Sequence, residues 1–353
     1  MVKTQAGGQF SRELQKDDEY LLRHAHDLLN TARLELAKWI AGQEEMINGL
    51  LMVLIAGGHI LLEGVPGLAK TRAVKALAEI TGLHFKRIQF TPDLLPADLT
   101  GTLVWEQAAG NFSVRRGPVF ANVVLADEIN RAPAKVQSAL LEAMEERQVT
   151  IGEKSYALPD PFFVLATQNP IEHEGTYALP EAELDRFLLK LLVKYPSPEE
   201  ELRILDFSPP FSTQQNDAGF SLRQVLDLSC LEALRKAADT VFIDPRIMRY
   251  IVSLSAATRP SRQGNKAMPQ DASRDGIYRY IAFGASPRAS MALSRCSRIR
   301  ALFEGRSFVT PEDIKAAAYP VMRHRLVLSY EAEAEGLDAD SVISRILSLL
   351  PMP

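Results

Sequence analysis

The chain has 353 residues, a length that suggests two domains and leaves room for three. Its hydrophobic content of 46%, charged content of 24% and formal charge of −4 are those of a globular protein without the basic surface of a nucleic-acid binder. The 2 cysteines, Cys230 and Cys296, are too few for a disulfide framework and lack the spacing of metal ligands.

The N-terminal part of the chain is predicted to be mainly helical. We expect residues 1 to about 12 to be disordered, whereas apolar residues recur at helical spacing over residues 17–39 and again over residues 44–56. The most apolar stretch, residues 47–62, is short for a membrane span and is broken by polar residues and glycines. The N-terminus shows no signal-peptide pattern, so we expect a cytoplasmic protein that does not insert into a membrane.

A short apolar strand, a glycine-bearing loop and the start of a helix follow one another over residues 59–81. This order is typical of a phosphate-binding P-loop, whose backbone N–H groups and positive helix end bind anionic phosphate. Lys70 is predicted to reach the β- and γ-phosphates, and the Thr71 hydroxyl to bind Mg²⁺. Ala69 stands where glycine usually precedes the lysine, and an alanine is tolerable there if that residue is already helical, because only a positive φ requires glycine. The predicted nucleotide-binding residues here are Gly64, Val65, Pro66, Gly67, Leu68, Ala69, Lys70, Thr71 and Arg72.

The alternative interpretation of this segment is a loop that merely needs its glycines. Strand and helix patterns nevertheless alternate onward to residue 193, which predicts a parallel α/β sheet flanked by helices. The further predicted strands cover residues 84–90, 121–126, 162–166 and 188–193. Two β-hairpins, near residues 102–115 and 148–158, are predicted to be insertions in this pattern.

After residue 196 the pattern changes to successive helices. Hydroxyl caps followed by Glu, Gln or Pro recur there, at Ser197, Ser221, Ser286 and Thr310. We therefore expect an α/β domain over residues 1–195 and an all-α domain over residues 196–353. Residues 259–276 are polar and rich in Pro, Gly, Ser and Asn, and we expect a mobile loop.

Two acidic residues are predicted to supply the chemistry that a P-loop lacks. Phosphoryl transfer requires a metal anchor, a residue that positions water, and cations near the developing charge. Asp127 and Glu128 follow a buried strand, at the edge where open α/β sheets bind ligands. Asp127 is predicted to hold Mg²⁺ through water and Glu128 to polarise the attacking water. The alternative is an acid pair that stabilises a helix N-terminus.

Three more side chains are candidates for the same site. Asn169 ends a strand, where its amide could touch the γ-phosphate, although Asn-Pro is also a common turn. Arg186, taken by itself, is better explained as a surface salt-bridge residue. Arg288 lies at the second position of a helix capped by Ser286, a placement that suits phosphate binding.

With these residues in place, the sequence resembles the MoxR family of AAA+ ATPases. Five separated motifs carry the resemblance in the expected order, and the match as a whole extends over most of the chain, from about Trp39 to the C-terminus. They are residues 64–71, 125–132, 166–170, 284–289 and 324–336.

The resemblance implies roles that spacing alone does not give. Asn169 would be the first sensor, Arg186 the arginine finger of a neighbouring subunit, and Arg288 the second sensor on a helical lid. The residues near the adenine would be Ile40, Ala41 and Gly42. The hairpin of residues 102–115 would be the insertion shared with magnesium chelatase motors, and that of residues 148–158 would face a ring pore.

The family also implies a function. Its members are chaperone-like ATPases that use ATP and Mg²⁺ to mature or activate other protein complexes, some by metal or cofactor insertion. Many work with von Willebrand factor A domain proteins, and we expect a homo-oligomer, a hexameric ring. The competing interpretations are a chelatase-like motor subunit and a DNA-directed AAA+ motor, although the latter should carry a basic patch that this chain lacks.

A small-molecule kinase or GTPase, and a nucleotide-binding scaffold without hydrolysis, would also carry a P-loop. A GTPase would need Asn-Lys-x-Asp to bind guanine, and residues 265–268 read Asn-Lys-Ala-Met. The presence of Glu128 argues against a scaffold that does not hydrolyse ATP.

Overall fold

The structure is a computed structural model that describes residues 3–40, 42–65, 67–108, 110–170, 176–206, 222–260 and 276–353. It divides into two compact units, which we call the core unit, residues 32–227, and the C-terminal unit, residues 1–31 with 228–353. The sequence placed this boundary at residue 195 and the whole N-terminal segment in the α/β domain. Within the C-terminal unit, Nδ1 of His26 lies 3.2 Å from the carbonyl oxygen of Leu302, a contact between distant parts of the chain that periodicity does not reveal.

The core unit begins in the long helix α1, Lys3–Ala37, which contributes residues to both units. Its remaining helices are α2 (Glu44–Ala56), α3 (Lys70–Thr81), α4 (Pro96–Thr100), α5 (Ala134–Glu146), α6 (Glu181–Leu184) and α7 (Pro198–Asp206). Its strands are β1 (Ile60–Glu63), β2 (Phe85–Gln89), β3 (Gly101–Glu106), β4 (Asn111–Arg116), β5 (Val123–Asp127), β6 (Gln148–Ile151), β7 (Lys154–Ala157), β8 (Phe163–Gln168) and β9 (Leu189–Leu192).

From Lys3 onward the expectation of disorder up to about residue 12 is wrong, because α1 already begins at Lys3. A helix that is nucleated in its apolar C-terminal part can extend through polar residues, since each added residue then gains a hydrogen bond. None of the helices in the described part of the chain is long and apolar enough to cross a membrane.

Five strands form one sheet in the order β2-β5-β8-β1-β9, and every neighbouring pair is parallel. Residues 123–126 of β5 are buried, as expected of a strand covered on both faces. The register places Gln89 opposite Asp127, and Leu62 opposite Thr167. The carboxyl ends of the central strands therefore meet at one edge of the sheet, which confirms the predicted α/β sheet.

His59, which directly precedes β1, contacts two further core elements, β8 and α5. Its Nδ1 accepts a hydrogen bond from the Val164 N–H over 3.1 Å, and its Nε2 lies 3.2 Å from the carbonyl oxygen of Met144. One neutral tautomer, with the proton on Nε2, satisfies both contacts. Burial lowers the pKa of His59 to about 4, because the charged imidazolium would lose its hydration.

The two predicted hairpins are confirmed. β3 pairs with β4 and β6 pairs with β7, both antiparallel, and neither pair joins the central sheet. The first hairpin carries two exposed aromatic side chains, Trp105 and Phe112, whose ring centroids lie 5.0 Å apart in an edge-to-face arrangement.

The C-terminal unit is mainly helical, as expected. Its helices after the first part of α1 are α8 (Leu228–Thr240), α9 (Pro245–Ala257), α10 (Pro287–Phe303), α11 (Pro311–Met322), α12 (Tyr330–Ala334) and α13 (Ala339–Leu349). It also contains a short antiparallel pair, β10 (Ile281–Phe283) with β11 (Val327–Leu328), which the sequence did not predict because two to three residues are too few for a periodic signal.

Most of the predicted caps are confirmed. The Ser197 N–H and the Glu200 side chain form a capping box at 2.8 Å, and Thr310 forms another with Asp313 at 2.8 Å. Ser286 accepts a hydrogen bond from the Arg288 N–H at the start of α10. The predicted cap at Ser221 lies outside the described residues, and so do residues 261–275 of the loop predicted over residues 259–276.

Candidate active site

The loop between β1 and α3 has the form that a phosphate cradle requires. Gly67 has a φ of +86°, and a Cβ built there would meet nothing within 4 Å, so the loop is open on that side. Lys70, the first residue of α3, donates a hydrogen bond from Nζ to the carbonyl oxygen of Gly64 over 2.6 Å. The helix N-terminus and the lysine are therefore presented together at the end of the loop.

The condition for an unstrained alanine at position 69, a helical backbone, is not met. Ala69 is the N-cap residue of α3 and has a φ of 55° and a ψ of 16°, in the left-handed region. The loop makes its last turn at this residue, before the helix begins, and a left-handed alanine costs about 1–2 kcal/mol because its Cβ crowds the backbone. A non-glycine residue at this position therefore carries backbone strain next to the proposed phosphate site.

A pocket opens beside this loop and brings together most of the predicted site. It is lined by Gly67, Leu68, Ala69, Lys70, Thr71, Arg72, Arg87, Asp127, Glu128, Thr167 and Asn169. Arg87 and Thr167 in this set were not among the predicted site residues. Asn169 itself is buried, with 6% of its surface exposed, at the end of β8.

Thr167 connects the two acidic residues. Its hydroxyl donates to Oδ1 of Asp127 over 2.7 Å and accepts a hydrogen bond from the Glu128 N–H over 2.8 Å. Oδ2 of Asp127 accepts hydrogen bonds from Nε and Nη2 of Arg87, at 3.1 and 2.6 Å. The carboxylate of Asp127 is thus fixed between a buried hydroxyl and a guanidinium.

Glu128 is held in an unusual backbone conformation, with a φ of 57° and a ψ of 51°. Oε2 of its carboxylate accepts a hydrogen bond from Nε2 of Gln89 over 2.7 Å and lies 3.2 Å from Nη1 of Arg131. Strained residues of this kind persist where surrounding contacts determine them, and they cluster at functional sites.

The electrostatics of the pocket centre on Lys70. Partial burial lowers the pKa of its ammonium group, while the neighbouring carboxylates of Asp127, Glu128 and Glu63 act in the opposite direction. A desolvated cation beside fixed carboxylates provides the charges that phosphate binding and metal binding require.

Two predicted residues lie elsewhere. Arg186 donates from Nε to Oε2 of Glu145 on α5 over 2.6 Å, and it is not among the residues that line the pocket. Arg288 belongs to the C-terminal unit, at the N-terminus of α10. Their roles at a nucleotide stay predictions.

The predicted adenine contacts are also untested. Ile40 is buried, with 2% of its surface exposed, and Gly42 has a φ of +71°. Ala41, and likewise Pro66 of the P-loop, lie outside the described residues.

The sequence analysis missed Arg87, Gln89 and Thr167. The first two are exposed positions of β2, separated by the buried Ile88, so polar alternation at the end of a strand was the available signal. Thr167 stands two residues before Asn169, inside a buried strand where a threonine carries no signal of its own. In all three cases the role depends on which strands are neighbours, which chain order does not give.

The donor set fits a nucleotide with Mg²⁺. The open face at Gly67 leaves room for phosphate, and the ammonium group of Lys70 can pair with it. The Thr71 hydroxyl and the Asp127 carboxylate line the same pocket and are hard oxygen ligands, the type that Mg²⁺ prefers.

Comparisons with known proteins identify the family of the chain. A family model described as the ATPase family associated with various cellular activities (AAA) matches residues 59–189, and an AAA lid domain matches residues 277–346. The second match agrees with a helical lid in the C-terminal part of the chain.

Named relatives cover nearly the whole chain. Chaperone MoxR1 of Mycobacterium tuberculosis is 45% identical over 92% of this chain and 82% of its own length. Protein MoxR of Methylorubrum extorquens is 34% identical over 90% of this chain and 93% of its own length. A crystal structure of a candidate ATPase from Cytophaga hutchinsonii is 44% identical, with a TM-score of 0.85 over 96% of this chain and 99% of that one. The chain belongs to the MoxR family of AAA+ ATPases.

Proposed function

We propose that this chain hydrolyses ATP with Mg²⁺ and uses the energy as a chaperone-like motor on partner protein complexes. The observation that carries the proposal is the linkage of Asp127 and Glu128 through Thr167, beside the P-loop lysine in one pocket. A metal-binding acid and a water-activating acid are thereby held at fixed positions next to the place where phosphates bind.

The phosphates of ATP would lie against the backbone N–H groups of residues 67–71, with Lys70 balancing their charge. Mg²⁺, held by Thr71 and Asp127, would neutralise charge on the β- and γ-phosphates. Glu128 would accept a proton from the attacking water, and Asn169 would orient that water or the γ-phosphate. Thr167 and Arg87 would keep the Asp127 carboxylate aimed at the site.

The remaining parts of the mechanism require other elements of the protein. We assign Arg288 the role of a second sensor on the lid, and Arg186 the role of an arginine finger supplied by a neighbouring subunit. Ile40, Ala41 and Gly42 would contact the adenine. These assignments imply a homo-oligomeric ring, and six subunits is the number we expect from the family.

The client is a protein in this proposal, because a relative of high identity is named a chaperone. Maturation, activation, or metal or cofactor insertion into that client is the function we infer, with a von Willebrand factor A domain protein as a candidate partner. Neither DNA nor RNA is required.

Two substitutions test the proposed chemistry. Lys70→Ala should weaken nucleotide binding, because it deletes a charge-assisted contact to phosphate. Glu128→Gln should bind ATP and fail to release phosphate, because the metal site survives while the base is lost. Nucleotide titration and steady-state phosphate release, each with and without added DNA, measure the two effects.

Glu142→Gln is the matched control, since Glu142 is an exposed acid of α5 that does not line the pocket. It should turn over ATP at the rate of the parent protein. Normal turnover by Glu128→Gln would exclude Glu128 as the base, and stimulation by DNA would favour a DNA-directed motor.

A further inference from the structure

Gln137 is a fully buried polar residue in an otherwise apolar face of α5, with 0% of its surface exposed. Its neighbours on that face include Val136, Leu140 and Leu141, which all belong to the hydrophobic core. A buried amide among such residues is costly unless it is hydrogen-bonded. A leucine at this position would avoid that cost, so we expect the glutamine to have a specific role.

The amide nitrogen of Gln137 lies among three backbone carbonyl oxygens. Nε2 is 3.1 Å from the oxygen of Ile129, 3.1 Å from that of Ala132 and 3.2 Å from that of Tyr177. Oε1 has no hydrogen-bond partner in the part of the chain that the structure describes. The side chain thus acts here as a donor to backbone acceptors.

These three carbonyls belong to two segments that flank the proposed site. Ile129 and Ala132 are in the turn that follows Glu128, whereas Tyr177 follows the strand end that carries Asn169. A backbone hydrogen bond from the Tyr177 N–H to the Asn130 carbonyl oxygen, 2.7 Å long, joins the same two segments. Gln137 therefore connects the segment after the proposed base to the segment after the proposed sensor.

Glu128 needs such support because its backbone is strained, with a φ of 57°. Its own N–H donates to Thr167, and its carbonyl oxygen accepts from the Arg131 N–H over 2.9 Å. Gln137 fixes the next carbonyl along the chain, that of Ile129. The three contacts together determine the direction in which the Glu128 side chain leaves the sheet.

We propose that Gln137 is a positioning residue for ATP hydrolysis, which holds the turn of Glu128 against the segment that follows Asn169. The expected change in rate rests on the proposed function, ATP hydrolysis. The hydrogen bonds by which Gln137 connects the two segments do not depend on it. Gln137 touches no phosphate in this proposal and acts only through the backbone of its neighbours.

Gln137→Met tests the proposal, because methionine has a similar length and no donor. The variant should bind ATP with an affinity within about threefold of the parent, since the P-loop is unaltered, and its kcat should fall about 10- to 100-fold because the base is misplaced. Leu140→Met is the matched control, a volume-conserving change at a fully buried site on the same helix. It should leave kcat within about twofold of the parent.

Amide hydrogen exchange supplies a readout that does not depend on turnover. In Gln137→Met, exchange should become faster in residues 129–132 and 176–184 together and stay unchanged in the sheet. If exchange rises throughout the core unit, or in one segment alone, Gln137 has a general structural role and the proposal is overturned. If the parent protein does not hydrolyse ATP, the proposed function fails, while paired exchange would still establish the link.

Gln137→Glu is a second test if the methionine variant does not fold. A neutral carboxyl group offers one O–H to the three carbonyls, whereas a carboxylate offers none and is repelled by them. Turnover relative to the parent should therefore rise as the pH is lowered from about 8 to about 6, because burial favours the neutral acid. A ratio that falls as the pH is lowered over this range would contradict the proposed role of the donor.

Discussion

The side-chain amide of Gln89 donates a hydrogen bond to Oε2 of Glu128 over 2.7 Å, from the edge strand β2 to the residue that follows β5. Gln89 is exposed, and Nη2 of Arg87 donates to its Oε1 over 2.8 Å. The bond from Gln89 occupies Oε2 of the Glu128 carboxylate and holds it in one orientation, so that oxygen is less available to a water molecule. Gln89 is therefore placed to restrain the proposed catalytic base.

Replacing Gln89 should remove its hydrogen bond to the Glu128 carboxylate, the proposed base. We expect Gln89→Leu to raise basal ATP turnover about fivefold, because an exposed hydrogen bond to a charged group is worth about 1 kcal/mol. Steady-state phosphate release measures the change. Gln148→Leu, at an exposed glutamine that begins β6, should leave turnover unaltered. A lower rate in Gln89→Leu would mean that Gln89 aims Glu128 rather than restrains it.

The buried His59 predicts a pH dependence of stability. Its pKa is about 4 in the folded protein and about 6.5 in an unfolded chain, so the unfolded state binds the proton first as the pH falls. The neutral imidazole therefore contributes stability that is present above pH 6.5 and is lost between about pH 6.5 and about pH 4. By linkage, the free energy of unfolding should fall by about 2 kcal/mol between pH 7.5 and pH 5 from this group alone.

Urea unfolding at the two pH values measures this loss, and His59→Gln is the control because glutamine does not titrate. The variant should be less stable than the parent at pH 7.5, yet it should lose about 2 kcal/mol less on acidification. An equal loss in both proteins would assign the acid sensitivity to other groups.

The left-handed Ala69 predicts a substitution that stabilises the protein. Ala69→Gly removes about 1–2 kcal/mol of strain and adds about 0.5–1 kcal/mol of chain entropy to the unfolded state, so stability should rise by about 0.5 kcal/mol. Ala139→Gly, inside α5 where the backbone is helical, should instead lower stability by about 1 kcal/mol. Urea unfolding compares the two variants, and a loss at Ala69 equal to that at Ala139 would rule out strain there.

The sequence alone was sufficient to locate those candidate site residues that stand at the ends of buried strands. Asp127 follows a run of apolar residues, and Asn169 follows another, so each could be placed at the binding edge of a parallel sheet before the strand order was known. The family resemblance added the helical lid, which the family comparison supports.

The contacts that support these residues could not be predicted in the same way. Gln89 meets Glu128 only because β2 lies beside β5, and the same chain order is compatible with other strand orders. Gln137 is a single polar residue in a helical pattern. Its three hydrogen-bond acceptors lie in loop segments whose geometry cannot be predicted from that pattern. The strain at Ala69 could not be predicted either, because its left-handed backbone is set by the geometry of the loop and not by the residue type.

The last prediction separates the two interpretations of Arg186. In the structure its Nε pairs with Glu145 over 2.6 Å, which gives the salt-bridge interpretation a specific partner. If the salt bridge with Glu145 is the whole role of Arg186, Arg186→Ala and Glu145→Gln should lower ATP turnover equally. If Arg186 acts on the nucleotide of a neighbouring subunit, only Arg186→Ala should lose turnover, by about 10³-fold or more, while it keeps its ATP affinity.

Mixing inactive variants then tests whether Arg186 acts between subunits. A Lys70→Ala subunit has a defective P-loop but an intact Arg186. An Arg186→Ala subunit has an intact P-loop but lacks the arginine. After the two are mixed and re-equilibrated, some intact P-loops should lie beside an intact arginine, so hydrolysis should return and rise with protein concentration as oligomers form. Mixtures of Glu128→Gln with Lys70→Ala are the control and should stay inactive, because no subunit in them combines an intact P-loop with an intact base. If the first mixture is as inactive as the control, Arg186 does not act in trans, and its pairing with Glu145 is its role.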